Sequence, residues 1–304
     1  MNYTLNKVSF LIPVLFILFL LCVPQKILYA LDWKSLHEQA DTSNPVSAKA
    51  CLKEKGDSPE NLYVLALTYL NEHKDKEADE LFRQLAGRDS RASEYAWGSA
   101  EVLRRNHESE KSKEILIRLI KEFPAFAPAY VSLSYIKYRE MDFNQTARLA
   151  SQVISLGIQN VDLSNLVRAY LLVGGAKGMI ANYGGPLSKV INGTAVLPNL
   201  KKAEKLQPNN AGVLFGVGSF YFLAPPFVGG DLARAIGYLE KAIKADPLFA
   251  DAYVRLGQAY SVKGDDKKYR EYTHKALEID PKNELALDAQ SKKCKFMCRG
   301  LENR

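Results

Sequence analysis

Between residues 58 and 283 the chain repeats itself every 34 residues, and that period restricts its fold more than any single motif. Leu62, Ala96 and Tyr130 are one period apart. Leu65, Ala66, Tyr69, Ala78 and Phe82 follow Leu62 in the same register in which Leu133 and Ser134 follow Tyr130. Near the C-terminus the order reads Tyr253, Leu256, Gly257, Tyr260, Gly264, Ala276 and Pro281, with Ala242 and Pro247 one period before Ala276 and Pro281. Pro124 to Tyr130, Pro208 to Leu214 and Pro247 to Tyr253 are each six residues, so the distance from a terminal proline to the next large residue is constant. Apolar residues three and four apart within each copy indicate helices, and the prolines end the second helix of each pair. Small residues such as Ala66, Gly257 and Ala276 let two helices approach closely. No such pair can bury its own apolar face, so the pairs must stack.

In this order of residues the repeat resembles the tetratricopeptide repeat: a large residue, Leu-Gly-x-x-Tyr, A-x3-F, and a proline closing the second helix. Residues 250–283 carry the fullest copy, with Tyr269 and Thr273 standing where small and aromatic residues are usual. The copy from Ser93 to Phe126 departs most, with Ala96, Ser99 and Ala100 in place of larger residues. The resemblance implies an all-α fold, a right-handed α-solenoid of about six antiparallel helix pairs over 58–283. A helical cap over 31–57 precedes it, and a C-terminal helix and basic tail over 284–304 follow.

Two copies exceed the period, both between their first and second helices. The fourth gains about 16 residues within 174–195, punctuated by Gly174-Gly175, Gly184-Gly185-Pro186 and Asn192-Gly193. The fifth gains about five at Ala224-Pro225-Pro226-Phe227-Val228-Gly229-Gly230. Both are read as loop insertions that emerge on one rim of the solenoid. The glycines match neither G-x-x-x-x-G-K-[ST] nor G-x-G-x-x-G and follow no strand, so they give no nucleotide site. With the leader described below, the two insertions also resemble, more loosely, exported bacterial repeat proteins such as the TRAP-transporter-associated T component.

Tetratricopeptide arrays bind extended peptides along the concave face of their first helices, and the resemblance carries that face onto this chain by register. Tyr63, Trp97, Arg104, Tyr135, Tyr138, Phe215 and Phe222 fall there, and with Phe227 on the fifth-copy loop they form the predicted partner site. Rigid aromatics suit recognition because they bury much area at small entropy cost. Packing against a neighbouring helix is the alternative for each. The carboxylate clamp of chaperone-type arrays is absent, since Val64, Gly98, Ser132 and Arg255 occupy its Asn register.

Residues 1–30 differ from the rest, with an apolar run from Val8 to Val23 between Lys7 and Pro24-Gln25-Lys26. Its sixteen residues fall short of the roughly 20 that span a bilayer. A secretory signal cleaved after Ala30 and a retained anchor are the two readings, and both make the chain an exported, periplasmic protein. The net charge of +7, two of it in that leader, is too dilute to argue for nucleic acid. Cys51, Cys294 and Cys298 follow no framework spacing, although Cys294 and Cys298 lie within reach of one another on a helical face. His37, His73, His107 and His274 are scattered at polar positions and read as solvated, with no nucleophile, acid–base pair or metal set beside them.

The chain therefore reads as a non-enzymatic exported scaffold, without cofactors, that binds a protein or peptide partner through its groove and rim loops. The alternative is a periplasmic accessory of a solute transporter, associated with the inner membrane, that presents a small ligand or its binding protein.

Overall fold

Apolar side chains at helical spacing, several runs opened by Ser, Asp or Asn caps such as Ser58, Asp142 and Asn210, give fifteen α-helices and no strand among the residues described by the computed structural model, which are 32–291 and 293–297. The expected signal or anchor over 1–30 and the Cys294–Cys298 pairing lie wholly or partly outside the described residues; Cys51 and Cys294 are free thiols.

Six antiparallel pairs make the array. They are α3 (Pro59–Asn71) with α4 (Asp75–Arg88), α5 (Ser93–Arg105) with α6 (Ser109–Glu122), and α7 (Ala127–Arg139) with α8 (Phe143–Leu156). Then come α9 (Leu163–Tyr183) with α10 (Pro186–Leu206), α11 (Ala211–Leu223) with α12 (Leu232–Ala245), and α13 (Ala250–Val262) with α14 (Asp266–Ile279). Two helices precede them, α1 (Trp33–Asp41) and α2 (Pro45–Lys55), and α15 (Glu284–Gln290) follows. The first three pairs keep the 34-residue period to the residue, opening at Pro59, Ser93 and Ala127.

The surplus of the fourth copy is not a loop. It lengthens α9 and α10 to 21 residues each, and Gly174, Gly175, Gly178 and Gly193 lie inside these helices. Interior glycine costs about 1 kcal/mol of helix stability, and close packing offsets it here. A Cβ at Gly174 would stand 3.1 Å from Leu200 Cδ2, and one at Gly175 would stand 3.3 Å from Tyr138 Cε2. Only Gly184-Gly185 interrupts, and Pro186 then opens α10 at a position where a missing N–H is harmless. The fifth-copy insertion is a loop, with a one-turn 3-10 helix at Pro226–Val228 closed by Gly229 at φ 101°.

The same logic of close approach holds the pairs together. Phe82 on α4 is fully buried against Gly98 on α5, where a Cβ would lie 2.3 Å from the ring. Gly98→Ala is expected to destabilise the array by about 1–3 kcal/mol, because a close-packed ring has nowhere to shift. A urea titration reads this as a lower midpoint. Adding Phe82→Leu should recover part of the loss.

Candidate functional site

The concave face begins as the sequence suggests, from the first helices of each pair, but the chain itself occupies both of its ends. At the N-terminal end, α1 lies against α3 and α9 and reaches Trp97 on α5 and Phe126 just before α7. Trp33 meets Phe126 edge to face at 5.4 Å, and His37 sits 5.0 Å from the Trp97 ring. Asn165 donates its amide to His37 Nδ1 at 3.4 Å, so His37 Nε2–H donates to the Tyr63 hydroxyl at 2.9 Å. Trp97 Nε1 donates to Ser132 Oγ at 3.0 Å, and Ser132 Oγ donates to Glu101 at 2.8 Å. Burial pushes the Glu101 carboxyl upward, but the paired Arg104 guanidinium outweighs it and holds the group at about 2.

These contacts correct the predicted partner site. Tyr63 is fully buried and Trp97 almost so, and both bind the chain's own first helix, which reaches the groove at the high effective concentration of a tethered segment. Phe222 is also fully buried, packed in the core that α11 shares with α12 and α13. His37 is buried rather than solvated. Burial, with Arg168 adding to it against the pull of Asp162, pushes its imidazole down to about 4.

At the C-terminal end, Arg255 donates to the carbonyls of Phe296 at 3.0 Å and Met297 at 2.7 Å. The residue in the clamp register thus holds the chain's own tail. Phe296 stacks on Tyr138 at 6.2 Å, under the guanidinium of Arg139.

Between these two plugs the array closes into a ring. His73 Nε2 lies 3.0 Å from Asp246 Oδ2, and His107 Nε2 lies 3.1 Å from Asp280 Oδ1. Both pairs are 173 residues apart, because the histidines are one period apart and so are the aspartates. Arg139 supplies a third rung to Glu284 at 2.9 Å, with Asp251 at 3.8 Å. Arg105 donates to His73 Nδ1 at 3.3 Å and pairs with Asp75, so His73 presents Nε2–H to Asp246. Burial raises Asp246, but the His73 hydrogen bond outweighs it and keeps the carboxyl below its ordinary range. Both histidines stand where the first helix turns into the second, at φ 58° and 63°; Gly264 fills that position in the sixth pair. A side chain with left-handed backbone costs about 1 kcal/mol, which the rungs offset.

The inner surface of the ring bounds a partly open chamber of about 2210 Å³. Part of its wall is polar, from Arg104, Arg105, Arg139, Arg168, Ser164 and Asp41. Another part is apolar, from Leu171, Leu197, Leu200, Phe215, Phe220 and Leu223. Five of the eight predicted residues line it: Arg104, Tyr135, Tyr138, Phe215 and, at the rim, Phe227. Arg104 lies over the Tyr135 ring at 4.5 Å, and Phe215 packs 5.0 Å from Phe249. Arg168 and the clasp residues were missed. The matched spacing of His73 with His107 and of Asp246 with Asp280 was their one sequence signal.

Residues 250–283 match the tetratricopeptide repeat family model. No curated protein matches the sequence. Among solved structures, a tetratricopeptide repeat protein from Parabacteroides merdae has 17% identity and a TM-score of 0.51 over 84% of this chain and 96% of that one. The Cut9–Hcn1 hetero-tetramer of APC/C has 14% identity and a TM-score of 0.56 over 84% of this chain and 46% of that one. The human IFIT1 dimer with m7Gppp-AAAA has 16% identity and a TM-score of 0.55 over 83% and 58%. This chain spans about half the length of the last two. What it shares with all three is the fold. The chain has a tetratricopeptide-repeat-like solenoid fold, and its residues 250–283 match the repeat itself. Among the described residues no helix is long and apolar enough to cross a membrane, and no group of His, Cys, Asp and Glu is placed to hold a metal ion.

Two predictions follow from the plugs and the clasp. Native His37 stays neutral down to about pH 4, whereas an unfolded imidazole protonates near 6.5, so the unfolded chain binds more protons between these values. Stability is therefore complete at neutral pH and falls as pH drops through that window, by about 3 kcal/mol from this group. Urea midpoints across that range should show the loss, and His37→Gln should remove this share of it. The clasp is tested by the pair His73→Gly and His107→Gly, which relieves backbone strain while cutting two rungs. Small-angle scattering should then show a larger radius of gyration at unchanged helicity. Met141→Gly, at the same turn position without a rung, should leave the radius as it is.

Proposed function

We propose that this chain is an exported, non-enzymatic binding protein that encloses an elongated amphipathic ligand with an anionic head. The observation that carries this reading is the chamber, with arginines on one part of its wall and leucine and phenylalanine on another. A volume of about 2210 Å³ exceeds the usual few hundred to 1,000 Å³ of a small-molecule pocket. It accommodates a long-chain molecule more naturally than a compact one. Arg168 is the hook for the head group: it is exposed to the chamber, and among the described residues no carboxylate forms an ion pair with it. Ser219 Oγ, buried without a hydrogen-bond partner, adds a polar atom to the lining formed by α11.

Of the two readings open from the sequence, the chamber favours the transport accessory that presents a small ligand over the scaffold that grips a peptide. The groove's best aromatics, Tyr63 and Trp97, are already spent on α1. A capped RNA, the ligand in the IFIT1 structure, is disfavoured for a different reason. Arg104, Arg105 and Arg139 are each neutralised by a carboxylate, which leaves no basic track for phosphates. The leader supports export, and periplasmic placement with a membrane permease as recipient completes the proposal.

Binding of cis-parinaric acid, followed by its fluorescence, tests the reading. The wild-type chain should bind saturably. Arg168→Gln should weaken binding about tenfold or more, the cost of one charge-assisted hydrogen bond. Leu197→Glu should abolish it by placing a charge in the apolar wall. Absence of binding by the wild type, or equal binding by all three, would sink the proposal.

A further inference from the structure

The chamber has a mouth, and the mouth has an apolar lip. Leu187, Val190 and Ile191 stand 73%, 64% and 58% exposed near the start of α10, where their spacing places them on one face. Phe227 and Val228 on the fifth-copy loop are 89% and 50% exposed. Val190, Phe227 and Val228 also line the cavity, so both segments border it. Scattered exposed apolar residues need no explanation, but three on one face of α10 and two on a loop bordering the same cavity do.

The charge around this lip is as uneven as its polarity. From Gly184 to Leu206, the turn and the helix that carry the lip, the sequence has one carboxylate, Glu204, against Lys189, Lys201, Lys202 and Lys205. Glu204 is itself engaged by Lys201 and the Tyr238 hydroxyl. Helix α10 is therefore net cationic, with Lys189 inside the lip and the other lysines farther along the helix.

We infer that this rim docks onto an anionic lipid bilayer, with Leu187, Val190, Ile191 and Phe227 entering the interface and the lysines meeting the head groups. Protruding apolar side chains on a basic segment are the combination that binds such a surface. A second copy of the chain fits less well, because it would bring the same cationic segment against this one. Docking opens the chamber toward the membrane, yet it is independent of what the chamber holds and stands or falls separately.

The test places a reporter at the tip, Phe227→Trp, in the full chain. Vesicles of phosphatidylglycerol and phosphatidylcholine brominated on the acyl chains are added, with phosphatidylcholine alone as the comparison. The native Trp33 and Trp97 are buried and contribute a constant background. The expected result is a blue shift and loss of emission with the anionic vesicles, little change with the zwitterionic ones, and recovery when Leu187→Ser and Ile191→Ser are added. The inference is overturned if anionic vesicles do not quench, if both kinds quench equally, or if the serine pair changes nothing. A blue shift that grows with protein concentration in the absence of vesicles would also overturn it, by assigning the rim to self-association. Loss of parinaric acid binding without loss of quenching would count against the chamber alone.

Discussion

A helix pair of this kind has an apolar face it cannot cover, and that single deficit organises the molecule. Each pair passes the problem to the next, so the six pairs stack, and the exposed ends and inner surface of the stack must then be dealt with. This chain resolves them internally. The α1 helix covers the inner surface at one end through Trp33 and His37, and the segment around Phe296 does so at the other, held by Arg255. A groove that might receive a partner's peptide has become, at its ends, part of the core.

What remains is enclosed by a second kind of force as well. Stacking is apolar and extensive, and closure adds charged side chains at the turns to an apolar cluster in which Phe143, Ala176 and Met179 join Ala250, Val254 and Phe296. His73–Asp246, His107–Asp280 and Arg139–Glu284 are each partly exposed, and pairs of that sort contribute about 0–1 kcal/mol apiece. The charged rungs by themselves are therefore weak beside the array.

Much of the fold was legible because helical repeats are local. The period, the terminal prolines and the small residues at helix crossings are short-range consequences of packing one pair on the next. The misreadings share a cause. Gly174 and Gly175 look like breakers until Leu200 and Tyr138 are seen filling the space they leave. Tyr63 and Trp97 fall in the binding register, yet nothing local reveals that α1 will lie on them. His73 and Asp246 carry no motif, since each lies 173 residues from its partner.

The amino-acid sequence by itself determined the solenoid, its six pairs and the place of its two insertions, because each depends on contacts within about one period. Only the tertiary structure decided that the solenoid closes and that its groove is partly self-filled. Curvature accumulates over the whole stack from small rotations at each interface, and no window of the sequence contains that sum.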